Sequence, residues 1–209
     1  MFKIISYHTT GFYKKVAADN LVASCKKLGV PLDMYEVESL GSWSANTNLK
    51  PAFIRERMSE GTSDDIFVFV DCDARVVRQP TLFNEIPDKC DMACHFLDRH
   101  AWYNHAPDIP KVHELLSGVL LLRRRPIVMQ MIDWWLQLVK QEPGVWEQKH
   151  LSAVVEALGS KLSVFRLPLE YCYIATLPNG QEPHVKVASP VITQYQVSRQ
   201  VRRGRVVDL

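Results

Sequence analysis

The sequence predicts an α/β fold in which a Rossmann-like mixed β-sheet is flanked by helices. Strands alternate with amphipathic helices early in the chain, and Ile66–Val70 is apolar on both faces, as in a central parallel strand. The order of elements becomes irregular further along, which favours a mixed sheet. The chain has 209 residues without a repeat or linker. We therefore expect one domain, residues 1–209.

The predicted strands are short apolar runs bounded by turn residues. They cover residues 2–7, 33–37, 66–70, 91–96, 115–122, 162–166 and 185–192.

The predicted helices follow the apolar period of 3.6 residues and carry their own start and stop signals, such as Pro51 in a first turn and Gly29 after a last turn. Residues 41–48 are predicted as a loop and residues 100–110 as irregular. The helices cover residues 13–28, 51–60, 127–141 and 147–158.

Charge and cysteine content exclude several classes of protein. The net charge of +2 gives no overall signature of polyanion binding. Five cysteines without a CxxC pair or a suitable histidine partner argue against a zinc site and favour reduced thiols. Met1–Ile5 reads as a strand without a signal-peptide core, and no apolar run reaches the ~20 residues that cross a bilayer. We therefore expect a cytoplasmic protein with no membrane span.

Two basic clusters could contact the phosphates of a nucleic acid, since arginines can bind phosphate. The simpler interpretation of the C-terminal cluster is a solvated tail. The clusters are Arg123–Arg125 and Arg199, Arg202, Arg203 and Arg205.

The chemistry of the chain centres on Asp71 and Asp73, which directly follow the buried strand 66–70. In open α/β sheets, ligands bind beyond the carboxyl ends of the strands. Carboxylate oxygens there suit a hard divalent cation, Mn²⁺ or Mg²⁺, that also binds phosphate. The alternative is an aspartate turn that only caps the strand.

With these residues in place, the chain resembles the GT-A nucleotide-diphospho-sugar transferases, in the branch of glycogenin and the bacterial galactosyltransferases. Short motifs occur in the family's order. They are Ile4–Thr9 with Tyr13, Trp43 with Lys50-Pro51, Asp71–Ala74, Ser117–Leu120, Trp146–Leu151 and Val191–Tyr195.

The resemblance implies a donor-binding half at about residues 1–125 and an acceptor or closing half at about 126–209. It implies a cation held by Asp71, Asp73 and Gln194. Many relatives have a histidine where Gln194 stands, and His184 is a possible substitute. The donor-binding residues implied are Thr9, Tyr13, Lys50, Asp71, Ser117, Gly118, Gln148 and Arg199.

Three residues are candidates for catalysis. Lys50, or else Arg55, would stabilise the negative charge on the leaving diphosphate, unless these side chains lie on a solvated helix face. Glu147 would act as a base on the acceptor or position the donor sugar; alternatively it only caps its helix. Asp98 begins a loop, rich in aromatic residues and histidine up to His105, that should border the acceptor.

These features and the resemblance predict a metal-dependent glycosyltransferase that moves a sugar from a nucleotide diphosphate donor, a UDP-sugar, to a hydroxyl acceptor. The acceptor would be a glycan, a small molecule or modified DNA. A nucleotidylyltransferase is one alternative, disfavoured because residues 9–13 contain only one glycine. A sugar-nucleotide- or glycan-binding module without activity is the other, suggested by Gln194.

Overall fold

The computed structural model describes residues 2–62, 65–103, 108, 112–177 and 181–197. These residues form an α/β fold with a mixed sheet between helices, as the sequence predicts. In chain order the strands are β1 Phe2–Thr9, β2 Leu32–Val37, β3 Ile66–Val70, β4 Ala74–Val76, β5 Met92–Asp98, β6 His113–Arg123, β7 Val164–Arg166, β8 Tyr173–Ile174 and β9 Ile192–Gln194.

Helical turns follow each other without a break from residue 12 to residue 28, where a π-helical turn, Ala18–Val22, joins two α-helices. Single 3₁₀ turns occur at Gly159–Lys161 and Leu169–Tyr171. The α-helices are α1 Phe12–Ala17, α2 Ala23–Leu28, α3 Trp43–Thr47, α4 Lys50–Glu60, α5 Leu82–Glu85, α6 Arg99–Trp102, α7 Pro126–Gln141 and α8 Glu147–Leu158.

The main sheet has the strand order β2-β1-β3-β6-β5-β7. β1 is parallel to both β2 and β3, whereas β6 is antiparallel to both β3 and β5. The carboxyl ends of β1 and β3 therefore share one edge of the sheet. Thr9 and Asp71 lie at that edge because each stands at the end of its strand or directly after it.

A second, smaller sheet has the order β4-β9-β8 and follows directly from the Asp71–Asp73 turn. β4 begins at Ala74, which pairs with Gln194 of the antiparallel strand β9. This pairing places β9, near the end of the described residues, next to the Asp71–Asp73 turn.

An irregularity in the pairing of β5 with β6 marks the same edge. Cys94 pairs with Leu120, but the next residue, His95, pairs with Leu116. Residues 117–119 of β6 are therefore left without partners on β5. Such bulges are frequent next to active sites, because they redirect side chains out of the regular pleat.

The core lies on both faces of the main sheet, and the strands alternate between the two faces. On β3, Val68 and Val70 face the cluster under α2 and the small sheet. Phe67 and Phe69 face the cluster formed with α4, α7 and α8. This explains why Ile66–Val70 is continuously apolar in the sequence.

The elements differ from the sequence prediction mainly where they are short. The strand 66–70 and the helix 147–158 have the predicted bounds. The predicted loop 41–48 contains the helix α3, which Ser42 caps by accepting from the amide of Ala45 at 3.1 Å. The predicted strand 185–192 is wrong, because only Ile192–Gln194 forms a strand there.

All five cysteines are free. Among the described helices, none has the length and apolarity that crossing a membrane requires.

Two adjacent tryptophans on α7 allow a test of this packing. Trp135 is fully buried, and its indole Nε1 donates to the carbonyl of Glu147 at 2.8 Å, whereas Trp134 is 38% exposed. We expect Trp135→Phe to lower the free energy of unfolding by about 1–3 kcal/mol, because it leaves a cavity and removes a buried hydrogen bond.

The matched control is Trp134→Phe, which should change stability by about 0.5 kcal/mol or less. Urea denaturation of both variants measures the difference. Equal losses would contradict the assignment of Trp135 to the core.

Candidate active site

A cleft of about 510 Å³ opens at the edge where β1 and β3 end. Its walls come from both halves of the sequence. Side chains of the turn after β3 lie on one side, and those of the first turn of α8 lie opposite. The residues from the predicted motifs that line it are Thr9, Tyr13, Trp43, Lys50, Asp71, Asp73, Ser117, Gly118, Trp146, Glu147, Gln148 and Gln194.

Lys50 lies at the centre of these contacts and is only 4% exposed. Its ammonium is 3.0 Å from Asp71 Oδ1 and 3.0 Å from Glu147 Oε1. It also donates to the Ser117 hydroxyl at 3.1 Å and to the Ser117 carbonyl at 3.2 Å. The alternative that Lys50 lies on a solvated helix face is therefore wrong, because the start of α4 directs this side chain into the protein.

Glu147 is the opposite partner of Lys50 and is 1% exposed. Its Oε1 accepts from the Ser117 hydroxyl at 2.8 Å. Its Oε2 is buried and has no hydrogen-bond partner within the described residues. Burial raises the pKa of this carboxyl above its usual value, although Lys50 opposes the shift. The free oxygen can accept a hydrogen bond from a hydroxyl group in the cleft.

Gln148 continues the network along the wall of the cleft. Its Oε1 accepts from the backbone amide of Ser117 at 3.0 Å, and its Nε2 donates to Glu114 at 2.7 Å. Glu114 lies 3.4 Å from Arg99 at the mouth. Both ends of the Gln148 amide are thus fixed, and the orientation of this side chain is set before any ligand arrives.

Asp71 and Asp73 are held by backbone contacts as well as by charge. The Asp71 amide donates to the Gly118 carbonyl at 3.0 Å, and Asp73 Oδ2 accepts from the amide of Val197 at 2.8 Å. Burial, together with the neighbouring Asp71 carboxylate, raises the pKa of Asp73. The two carboxylates repel each other, and a cation between them would relieve that repulsion.

Gly118 brings the aspartate turn and β9 together. A Cβ atom at this position would lie 3.1 Å from Asp71 Oδ2 and 3.2 Å from the amide of Gln194. Gln194 is 4% exposed, and its Nε2 donates to the Gly118 carbonyl at 3.1 Å. A Cβ atom here would therefore require the side chains of Asp71 or Gln194 to move back by a few tenths of an ångström.

The donor set fits a hard divalent cation. Lys50 contributes one positive charge against the carboxylates of Asp71, Asp73 and Glu147, which leaves two negative charges in excess. The donors of these three side chains are carboxylate oxygens, which Mn²⁺ and Mg²⁺ accept. Among the described residues, no group of three or more His, Cys, Asp or Glu side chains could hold a metal. Within the described part of the chain, an amide oxygen is the type of further ligand that the site offers.

Two tryptophans from distant parts of the chain meet at the cleft. Trp43 begins α3, and Trp146 directly precedes α8; their ring centroids are 6.2 Å apart. Both side chains are partly exposed. Such rings can stack on a sugar or a base.

Three predicted candidates do not line the cleft. Asp98 is exposed and caps α6 by accepting from the amide of Ala101 at 3.0 Å, a contact that lowers the pKa of Asp98. Arg55 forms a surface ion pair with Asp133 at 2.6 Å. His184 is exposed. The structure thus places the carboxylate of Asp98, a predicted catalytic candidate, outside the cleft, where it serves as a helix cap.

The cluster Arg123–Arg125 does not extend a basic patch at the cleft. Arg123 pairs with Ile66, at the opposite end of β3 from Asp71. The three side chains bond to nearby carbonyls and carboxylates, including those of Asp88 and Met58. Arg199, Arg202, Arg203, Arg205 and His105 lie outside the described residues.

Among the cleft residues that sequence reasoning missed are two with polar side chains, Glu114 and Gln196. Glu114 lies near the start of a long strand, and Gln196 follows the three-residue strand β9. Neither position carries a motif, so only the fold could reveal them.

Comparison with known proteins identifies the fold. No protein-family model and no curated protein match the sequence. Several solved structures are similar. A glycosyltransferase involved in glycosylation of the major capsid of PBCV-1 is 14% identical, with 97% of each chain covered and a TM-score of 0.62.

Two further solved glycosyltransferases have a fold similar to that of this chain. The galactosyltransferase LgtC, solved with donor and acceptor sugar analogues, is 13% identical over 93% of this chain and 87% of that chain, with a TM-score of 0.58. Mouse xyloside xylosyltransferase 1 is 10% identical over 95% and 98% of the two chains, with a TM-score of 0.55. The chain thus has the GT-A glycosyltransferase fold, which confirms the predicted fold class.

The buried ion pairs predict a large effect of removing the lysine. Lys50→Met leaves Asp71 and Glu147 without their common cation, and we expect a loss of about 3–5 kcal/mol in the free energy of unfolding. The matched control is Arg55→Met, which breaks an exposed pair on the same helix and should cost about 1 kcal/mol or less.

Urea denaturation measures both losses. The double variant Lys50→Met/Glu147→Gln should recover part of the stability, because one unpaired buried charge is removed. A loss for Lys50→Met no larger than that for Arg55→Met would contradict the central role of Lys50.

Proposed function

We propose that this protein transfers a sugar from a nucleotide diphosphate donor, a UDP-sugar, to a hydroxyl group of an acceptor, with Mn²⁺ or Mg²⁺ at Asp71 and Asp73. The observation that carries the proposal is the buried contact of Asp71, Lys50 and Glu147 beneath a cleft at the carboxyl edge of a GT-A sheet. The similar structures are those of glycosyltransferases, and one holds donor and acceptor sugar analogues.

The cleft has the size and chemistry for a nucleotide-sugar. Its volume of about 510 Å³ falls within the range of roughly 300–1,000 Å³ for small-molecule sites. Thr9 and Tyr13 line the end next to β1, where the nucleotide would lie, and Ser117 and Gly118 line the part nearest to Glu147.

The cation would be held by the carboxylates of Asp71 and Asp73, with an amide oxygen in place of the expected histidine. When bound, it supplies positive charge to the diphosphate on which negative charge develops. The chain's own contribution is to keep Asp71 in position: Lys50 contacts one of its carboxylate oxygens, and Gly118 accepts from its amide.

Lys50 acts in this proposal as a buried positioning cation rather than as an exposed phosphate ligand. Neighbouring carboxylates raise its pKa above the usual value even though burial alone would lower it. The ammonium therefore stays charged across the physiological pH range. It orients Asp71 toward the donor and Glu147 toward the sugar.

Glu147 would bind a hydroxyl group of the donor or acceptor through Oε2. A carboxylate that is already fixed by Lys50 and Ser117 loses little freedom when it accepts this bond. Trp43 and Trp146 would cover the bound sugar and exclude water, which otherwise competes with the acceptor hydroxyl.

Release of UDP from a UDP-sugar, in the presence of Mn²⁺, tests the cation site. We expect Asp71→Asn/Asp73→Asn to lower turnover by about 10²–10³-fold, because stabilisation of the leaving diphosphate is lost. Excess EDTA should abolish turnover of the wild type, and added Mn²⁺ should restore it.

Asp133→Asn is the matched control, because this exposed aspartate pairs with Arg55 on the surface and does not line the cleft. Unchanged turnover in the double variant, or in EDTA, would disprove the cation assignment. Tight binding of UDP-sugars without any turnover across donors and acceptors would instead support a binding module.

A second prediction concerns Glu147. Glu147→Gln retains the shape of the side chain but removes its charge, and we expect turnover to fall by about 10²–10⁴-fold. Donor affinity, measured by calorimetry, should change far less than turnover. The control is Glu156→Gln, an exposed position on the same helix. A variant at position 147 with wild-type turnover would exclude a role in the reaction.

A further inference from the structure

Gln196 lines the cleft two residues after β9, and nothing in its sequence neighbourhood marks it as functional. Its Oε1 atom is buried and has no hydrogen-bond partner within the described residues. A buried polar atom without a partner is rare in folded proteins, because it has lost its contact with water and gained nothing in return. An oxygen in this position is suited to accept from a bound ligand or to ligate a cation.

The backbone of Gln196 is also unusual. It has a φ angle of 51°, and it is the one residue other than glycine with positive φ in the described part of the chain. This left-handed conformation is unfavourable for glutamine and persists only where the surrounding structure enforces it.

Contacts of the two neighbouring residues, Tyr195 and Val197, hold Gln196 in this backbone conformation. The amide of Val197 donates to Asp73 Oδ2 at 2.8 Å, and Val197 is 1% exposed. On the other side, the Arg75 guanidinium lies 5.0 Å from the centre of the Tyr195 ring. Because the backbone amide of Val197 is hydrogen-bonded to Asp73, the neighbouring Gln196 is held at the aspartate end of the cleft.

Gln194, which the sequence predicts as the third ligand, has less freedom to bind a cation. Its amide is packed against Gly118 and donates to the Gly118 carbonyl at 3.1 Å. Gln194 therefore already has a structural role, whereas the oxygen of Gln196 has none within the described residues.

We propose that the Gln196 amide oxygen contacts the bound donor beside Asp71 and Asp73, either as a ligand of the cation or as the acceptor of a hydrogen bond from a nucleotide hydroxyl. This inference rests on the proposed function. It adds a binding residue, and it explains why a strained backbone and an unpaired oxygen are kept at this point. The shared chemistry is an oxygen acceptor beside two carboxylates, which suits either the cation itself or a hydroxyl of the nucleotide.

Direct binding measurements test the proposal without relying on turnover. Gln196→Met retains the length of the side chain and removes the oxygen. Mn²⁺ binding alone is followed by the loss of the free-ion electron paramagnetic resonance signal. UDP binding is measured by calorimetry once with Mn²⁺ and once with EDTA.

We expect the Kd for Mn²⁺, or for UDP, to rise by about tenfold in Gln196→Met, the effect of losing one oxygen ligand or one hydrogen bond. Weaker binding of Mn²⁺ alone identifies a contact with the cation. Weaker binding of UDP in EDTA identifies a contact with the nucleotide. Gln137→Met, an exposed position on α7, is the matched control and should bind both as the wild type does.

The ligand-free protein gives an independent measurement. Because Gln196→Met removes a buried oxygen without a partner, we expect its Tm to rise by about 2–4 °C while its ligand affinity falls. Gln196→Gly relieves the positive φ but also loses the oxygen, so it should show the same loss of affinity. A residue with only a structural role would not show gain of stability together with loss of binding.

The outcomes separate this inference from the proposed function. If the wild type binds neither Mn²⁺ nor UDP, both are overturned. If the wild type binds them and Gln196→Met binds equally well in every arm, the inference alone is overturned. It is also overturned if Gln194→Met weakens Mn²⁺ binding and Gln196→Met does not, because Gln194 is then the ligand.

Discussion

The contact of the Lys50 ammonium with Asp71 and Glu147 is the interaction on which the geometry of the cleft depends. It joins the start of α4, the end of β3 and the first turn of α8, three elements that are remote in sequence. A charge buried this deeply is tolerated only when its partners are close and well aligned. The carboxylates on both sides of the cleft are therefore fixed relative to each other through one side chain.

The sheet explains why these partners meet. β1 and β3 are parallel, so the residues that follow them lie at one edge, and antiparallel β6 brings Ser117 and Gly118 to that same edge. The bulge opposite β5 releases Ser117 from the regular pleat, and its hydroxyl then links Lys50 to Glu147. The bulge in the sheet therefore positions the hydroxyl group that connects the polar network of the site.

The fold class and the aspartate turn could be predicted from the sequence because each depends on a local pattern. The apolar run of β3 and the helical period of α8 are visible without any tertiary information. The small sheet could not be predicted, because strands of two or three residues show no period. The burial of Lys50 could not be predicted either, because a lysine at the start of a helix is usually solvated. Burial of this residue results from β3, β6 and α8 packing around it, which is a property of the whole fold.

The pairing of β4 with β9 makes the cleft depend on contacts that are very distant in the chain. Val197 bonds to Asp73 across 124 positions, and Gln194 pairs with Ala74. Closing such long loops is slow compared with forming helices or neighbouring strands. During synthesis, the aspartate turn therefore leaves the ribosome long before the strand that completes its surroundings. Until β9 docks, Asp73 and Gly118 lack partners that they have in the folded protein, so assembly of the binding site marks a late stage of folding.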